Sequence, residues 1–398
     1  MKKQTSKEFI LMQRESMTYI KTMNMRNVLN CVVEEKARTR ADISKKLNLS
    51  KPTVSSIVKQ LLKDGWIYET GSGDASADGG RKPVQLKFNA KRSYIIGIDI
   101  GGTNVTIGIT DLNGDVCAFR EFPTRQHLHN NLFGEIKRCV NSMKSQLRIS
   151  DVDILGLGAG VPGVTNVIEG RVIEAPALNW KQFPIREKFR AIFDFPIYVD
   201  NDVNSVVLGE HWKGAASDKS NLIYIAIGTG IGSGIILNGD LYRGSNYSAG
   251  EIGYVVTDRE NVGKIQPVFE GYGYLESVAS GSSISYELSS RLGRDVTAKE
   301  AFELYEQGDA DAVSVINFAI DHLAIGIANY VSLFDPEIII LGGGVSNSFP
   351  MIRESLVDII KQYTPRECEV IQTTLGEEAG IIGAAALFLK EHDLLLTI

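Results

Sequence analysis

The stretch Ile95-Ile96-Gly97-Ile98-Asp99-Ile100-Gly101-Gly102-Thr103-Asn104-Val105-Thr106-Ile107-Gly108-Ile109 decides how most of this 398-residue chain is read. Ile95–Ile100 is a short, mostly apolar run, the signature of a buried strand. Gly101-Gly102-Thr103-Asn104 turns the chain, and Val105–Ile109 forms a second strand that leads to Asn113-Gly114, a strong hairpin signal. A related passage recurs downstream: Leu222–Ile227, then Gly228-Thr229-Gly230-Ile231-Gly232-Ser233-Gly234, then Ile235-Ile236-Leu237 and Asn238-Gly239-Asp240. Both passages run strand, glycine loop, strand, Leu-Asn-Gly-Asp. The repeat predicts two similar halves that face each other.

Gly228 to Gly234 loosely matches a dinucleotide fingerprint, but that site needs a helix after its glycines, and here a strand follows. There is no G-x-x-x-x-G-K-[ST] loop either. A tight hairpin would account for either loop alone. Two such loops, one from each half, suit a polyphosphate held by backbone N–H groups, with Thr103 and Thr229 adding hydroxyls. Asp99, at a strand end, is placed to hold Mg2+ through water.

Upstream the composition changes. Residues 1–92 hold 19 Lys and Arg against 9 Asp and Glu, a net +10, whereas the remainder holds 23 against 39, a net −16. A basic block on an acidic body points to a polyanionic partner for the block, or else to a solvated basic face. Three short helical patterns choose between these. Val28, Leu29, Val32 and Val33 share one face. A second helix opens at Thr39, with Asp42 three residues on, and turns Ile43 and Leu47 inward. A third opens at Ser50, tolerates Pro52 in its first turn, and aligns Val54, Ile57, Val58, Leu61 and Leu62 in one stripe. Its other face shows Lys51, Thr53, Ser55, Ser56 and Lys59, small or basic side chains able to reach phosphates and base edges.

Only Asn48-Leu49-Ser50 separate the second and third helices, the spacing of a helix-turn-helix. Trp66–Glu69 and Pro83–Phe88 then predict a hairpin. Its long polar loop reads as a wing, with Arg81 and Lys82 at a tip suited to a minor groove. Residues 1–16 show no pattern and are expected to form a flexible arm.

Apolar residues make up 43%, an ordinary globular share. No apolar run reaches the roughly 18 residues of a membrane span, and nothing at the N-terminus resembles a secretory signal. Cys31, Cys117, Cys139 and Cys368 are scattered, without a C-x-x-C pair. That usage suits reduced thiols in the cytoplasm, with no membrane partner.

These residues resemble the ROK family of repressors, open reading frames and kinases, over about residues 92–390. The winged segment with its Gly-Gly-Arg-Lys-Pro tip is similar to the family's repressor branch, which includes xylose and N-acetylglucosamine repressors. The resemblance implies an α/β actin-like (ribonuclease-H-like) ATPase fold in two lobes behind an N-terminal winged helix-turn-helix. The family's D-x-G-G-T falls on Asp99, Gly101, Gly102 and Thr103, with Gly228, Thr229 and Gly230 opposite. The adenosine-side L-G-G-G falls on Leu341–Gly344, with Gly342 and Gly343 as contacts. For a sugar it implies Gly163 of Val161-Pro162-Gly163, Asn179 of the A-P-x-L-x-W stretch, and Asn201 and Asp202 of N-D-x-N. To these it adds Glu251 and Tyr254 around G-E-I-G and Glu276 of L-E-x-x-x-S-G. In family kinases the Asp at the Asp202 position takes the proton of the attacking hydroxyl. Amides and carboxylates of this kind also suit a ring of hydroxyls on chemical grounds alone.

One departure stands out. The family's His after G-E-I-G and its C-x-C-G-x-x-G-C would hold a structural Zn2+. Here those positions are Tyr254, Pro267, Phe269 and Tyr274, so zinc is expected to be absent. The three aromatic rings are expected to pack with Pro267 in its stead. Tyr254 should also alter sugar preference.

The leading expectation is a sugar-responsive repressor with a monosaccharide effector, acting on operator DNA as a homodimer, with a tetramer open. The second is an ATP-dependent sugar kinase carrying a DNA module. A third, an actin-like filament protein, leaves the DNA module and the polar set unexplained. The repressor requires no cofactor, and ATP with Mg2+ stays open for either of the first two. The expected divisions are residues 1–16, the winged module 17–90, a first lobe 91–200 and a second lobe 201–398, with the C-terminal helix open to return to the first lobe.

Overall fold

Three helices open the computed structural model, which describes residues 19–36, 38–72, 84–128, 131–259 and 274–396. The expected arm at 1–16 and the wing tip with Arg81 and Lys82 lie outside these residues. The first helix, α1, runs over residues 19–33. Helix α2 (Arg40–Leu47) starts where the Thr39 hydroxyl accepts the Asp42 N–H, and stops at Asn48 in the left-handed conformation. Helix α3 (Lys51–Lys63) starts where Ser50 accepts the Thr53 N–H, with Pro52 in the first turn. Strands β1 (Ile67–Ser72) and β2 (Val84–Phe88) pair antiparallel, Ile67 opposite Phe88. Val28, Leu29, Ile43, Val54, Val58, Leu61, Ile67 and Leu86 form the core of this module, as the apolar stripes require.

The body begins with β3 (Tyr94–Ile100), β4 (Asn104–Asp111) and β5 (Val116–Pro123), followed by α4 (Thr124–His127), α5 (Leu132–Leu147) and β6 (Ile154–Val161). A small antiparallel sheet follows, of β7 (Val164–Asn166), β8 (Arg171–Ala175) and β9 (Trp180–Phe183). Then come α6 (Ile185–Arg190), β10 (Ile197–Asn201) and α7 (Asp202–Trp212). The second half holds β11 (Leu222–Ile227), β12 (Ile231–Leu237), β13 (Asp240–Leu241), α8 (Tyr274–Ala279), α9 (Gly281–Leu292), α10 (Ala298–Glu306) and α11 (Ala310–Phe334). It closes with β14 (Ile338–Gly342), α12 (Phe349–Tyr363), β15 (Glu369–Gln372) and α13 (Ala379–Glu391).

The two main sheets have one topology. The first is ordered β5-β4-β3-β6-β10 and the second β13-β12-β11-β14-β15. In each, a central strand pairs antiparallel with the next strand in sequence and parallel with a later one: β3 with β4 and β6, β11 with β12 and β14. This is the duplicated architecture that the repeated strand-glycine-strand passage predicts.

Helix α13 is the last long element in sequence, yet it lies on the first sheet. A Cβ on Gly158 of β6 would stand 1.8 Å from the Ala384 carbonyl oxygen, and one on Gly97 of β3 would stand 2.4 Å from that of Ile381. The other side of α13 meets α7, where Gly209 and Gly383 allow the two backbones to touch. The apolar helix α11 is long enough to cross a membrane but is mostly buried, packed with Ile223, Ile225 and Ile339 in the second lobe's core. All four cysteines are free thiols.

Candidate functional site

The site grows from the end of β10. Asn201 caps α7, its side-chain oxygen accepting the Asn204 N–H at 3.0 Å. Asp202 is therefore the first residue of the helix, where the unpaired N–H groups favour a carboxylate. Its Oδ1 accepts the Val203 N–H and the Asn201 amide, each at 2.9 Å. The same amide donates to the Gly163 carbonyl at 3.1 Å, so the β6–β7 loop is tied to the start of α7. Gly163 has φ +82° and would set a Cβ 2.1 Å from the Glu174 carbonyl oxygen, so only glycine fits that turn. Asn179 is also left-handed, at φ 53°, and lies exposed on the loop whose Ala177 sits against Gly102.

Three acidic residues share this region. Burial raises the Glu251 carboxyl above its ordinary value, and the charges of Glu276 and Asp202 add to it. Burial also raises Glu276, whose Oε2 accepts the Ile231 N–H at 2.7 Å. That bond fastens the Glu276 carboxylate to the glycine turn of the second lobe, where a Cβ on Gly230 would strike the same oxygen at 2.4 Å. The Tyr254 phenol is raised first by burial, then by Glu251, Glu276 and Glu174. Glu174, on β8, is a charge at this rim that the motifs did not single out; its only signal is its place just before Ala175-Pro176.

The two glycine hairpin turns are each held by a neighbouring element. Thr103 and Thr229 are exposed at the two tips. The first turn is fixed by Thr124, which donates to the Gly101 carbonyl and takes the Thr103 carbonyl on its N–H. The second rests on α9, whose Gly281 N–H donates to the Gly228 carbonyl. Gly343, at φ +82°, follows β14 and would press a Cβ on the Ile227 carbonyl. Buried Tyr224 reaches this turn, and its phenol is raised by burial first, then by Glu210, Asp99 and Asp202. These groups suit a Mg2+-nucleotide: Asp99 toward the metal, the two turns and Gly342–Gly343 toward phosphate and adenosine.

The Asp99 carboxyl is pushed up to about 7, by burial first and by Asp202 second. For an acid raised in the folded state, the native protein keeps a proton that the unfolded chain loses. Stability therefore falls as pH rises from about 4 to about 7. Asp99→Asn removes that penalty. The gain in melting temperature over wild type should grow between pH 4 and 7 to several degrees, at about 2–4 °C per kcal/mol, and level off above. Thermal denaturation across this range measures it, and a gap independent of pH would mean that Asp99 titrates normally.

Thr53 is half-buried, and its hydroxyl meets that of Ser50 at 2.8 Å at the start of α3. One sequence expectation changes. The aromatic cluster is not formed between Tyr254 and Tyr274. Tyr254 is 56% exposed, whereas Tyr274 is buried with its ring edge on His322 at 5.7 Å. His322, from α11, bonds Thr257 at 2.6 Å and occupies the space beside Tyr274. Pro267 and Phe269 lie outside the described residues. The donor chemistry of the four positions does not fit a zinc clamp, since none supplies a thiol or imidazole. Lys51, Ser55, Ser56 and Lys59 are exposed along α3, as expected.

Comparison with known proteins accounts for both parts. Residues 24–68 match a winged helix-turn-helix DNA-binding family and residues 95–391 match the ROK family. The xylose repressor of Caldicellulosiruptor bescii is 31% identical over 94% of this chain and 97% of its own. A glucokinase of Halalkalibacterium halodurans is 31% identical over 75% of this chain and 96% of its own. Among solved structures, a ROK family transcriptional regulator described as a homolog of the E. coli Mlc protein superposes with a TM-score of 0.78. It covers 92% of this chain and 96% of its own at 23% identity, a likeness of fold. With the duplicated sheets, the glycine turns and the N-D-x-N cap already in place, the chain belongs to the ROK family.

Proposed function

We propose that this protein is a sugar-responsive transcriptional repressor of a carbohydrate-use operon, acting in the cytoplasm. One observation carries the reading: a helix with Lys51, Ser55, Ser56 and Lys59 exposed belongs to a module whose apolar core continues into the body that holds Asp202, Glu251 and Glu276. Its similarity along the whole length to a xylose repressor supports it. The winged module would span 17–90 and the lobes 91–200 and 201–398, with α13 serving the first lobe. Two modules of a homodimer would meet a palindromic operator at successive major grooves, with Arg81 and Lys82 at the wing tips. Lys51, Thr53, Lys59 and the serines would meet phosphates and base edges.

The effector is a monosaccharide, D-xylose first, with D-glucose and N-acetylglucosamine next. Asp202, Glu251 and Glu276 would accept its hydroxyl protons, while Asn179 and Asn201 would both donate and accept. Gly163 would bring backbone close, and Tyr254 would border the ring from the rim. Fluorescence anisotropy on duplex DNA from upstream of the protein's own gene, titrated with these sugars, tests the reading. Tight binding that one sugar weakens at least about tenfold is expected, within the usual range of such couplings. DNA binding that no sugar alters overturns it. In the same assay Lys59→Ala should weaken binding on all sequences alike and reduce the salt slope by about 1, the mark of a phosphate contact. An unchanged slope would remove Lys59 from the interface.

A second reading, an ATP-dependent sugar kinase, is favoured by the position of Asp202 beside Asp99 and by the glucokinase likeness. Burial raises the Asp202 carboxyl, which suits a group that accepts a hydroxyl proton nearer neutral pH. Bound ATP with Mg2+ would supply the phosphoryl group. A coupled phosphorylation assay on the same sugars decides this reading.

A further inference from the structure

The last turn of α13 and the four residues around its end touch every part of the molecule. Lys390 donates to the Gly239 carbonyl at 3.1 Å and pairs with Asp240 at 3.0 Å, both on the β12–β13 hairpin of the second lobe. Glu391 accepts from Arg243 at 2.7 Å, just beyond β13. His392 stacks on Phe388, and its Nδ1 meets the Tyr198 hydroxyl at 3.1 Å on β10 of the first lobe. Asp393 pairs with Arg26 on α1 of the DNA-binding module. Leu396, 2% exposed, lies in the same apolar cluster as Val28, Leu29, Trp66 and Phe388.

Arg243 joins this end to the cleft. Besides Glu391, it donates to Asp200 at 2.7 Å. Asp200 is buried and also accepts the Asn201 N–H at 2.7 Å and the Asn204 amide at 3.2 Å. Direct hydrogen bonds thus run from the Gly163 carbonyl through Asn201, Asp200 and Arg243 to Glu391. The links differ in stiffness. Most of α13 lies against the first sheet with no room to slide, because its carbonyls fill the space over Gly97 and Gly158. Its end is instead gripped by the second lobe, through Lys390 and Glu391. Any change in the angle between the lobes moves Gly239–Arg243 relative to Asp200, and the strain must appear at residues 390–391, two residues before the contact with α1.

We propose that residues Lys390–Asp393 are the junction through which lobe closure on a sugar repositions the DNA-binding module, with Arg243 as the positioning residue that ties the junction to the cleft. The inference rests on the repressor reading. It places the bistable element of the coupling in the ion pairs of Lys390 and Glu391 with the second lobe, the physical requirement for transmission between distant sites.

The experiment uses the full chain, the upstream duplex and D-xylose, D-glucose or N-acetylglucosamine in parallel arms. Wild type, Glu391→Ala, Lys390→Met and their double variant are compared by anisotropy, with calorimetry for sugar binding. Each single variant should keep its DNA affinity without sugar and its sugar affinity without DNA. The sugar should weaken DNA binding less than about threefold in each, against at least about tenfold in wild type. The double variant should be no worse than the weaker single, since both cut one path. Wild type responding and both single variants responding in full would overturn the junction alone. No sugar response in wild type would overturn the repressor reading, and the junction with it.

Discussion

Gly158→Ala should destabilise the protein by about 3 kcal/mol and lower its melting temperature by roughly 5–10 °C. The added Cβ would stand 1.8 Å from the Ala384 carbonyl oxygen, 2.7 Å from its carbon and 3.4 Å from its Cα. These are backbone atoms in the middle of a helix, so no side chain can swing aside. The helix must lift as a body. Lifting it opens the contact with Gly97 on the neighbouring strand and with Gly209 across on α7, and it pulls Gly380 away from Asp99. One methyl group therefore disturbs the layer between both sheets, which is why the expected cost stands at the upper end of ordinary overpacking. Gly71→Ala is the matched control. Nothing lies within 4 Å of its Cβ position and its φ is unexceptional, so it should change stability by less than about 0.5 kcal/mol. Equal melting temperatures for the two variants would mean that α13 does not lie on the first sheet.

Local patterns carried the parts of this fold that depend on local physics. Ser50 and Thr39 announce their helices because a cap needs only its own next few residues. The strand-glycine-strand repeat announces two sheets because hairpin pairing is also local. The sequence motifs likewise brought Asn201, Asp202 and Gly163 to one point. What stayed hidden depends on distant packing. Arg243 and Glu391 are 148 residues apart, and Arg26 and Asp393 are 367 apart, so no period or motif relates them. The expected pairing of Tyr254 with Tyr274 misled for the same reason: Tyr274 found His322 from α11 as its neighbour, a contact invisible from the motif itself. The contact between the Thr53 and Ser50 hydroxyls is likewise visible only in the geometry.

Glu276→Ala should raise the sugar concentration that half-releases DNA by roughly 10–150-fold, the equivalent of about 1.5–3 kcal/mol for one lost hydrogen bond to a charged group. DNA affinity without sugar should stay at the wild-type value, because Glu276 lies in the second lobe and touches neither α3 nor the junction at Lys390. The carboxylate does two things at once. One oxygen holds the Ile231 N–H at 2.7 Å and so fixes the turn that bears Thr229, and the carboxylate also faces Glu251 in the cleft. Alanine removes both functions and leaves the Ile231 N–H without its partner. Glutamine separates them: its carbonyl oxygen can still accept that N–H, while the negative charge offered to a sugar hydroxyl is gone. If the loss comes mainly from the sugar contact, Glu276→Gln should fall close to alanine. If it comes mainly from the loosened turn, glutamine should restore most of the response. Either pattern keeps Glu276 in the effector site, and the difference between them says how far the response depends on the turn that Ile231 holds. A half-release concentration unchanged in both variants would take the sugar out of this cleft altogether.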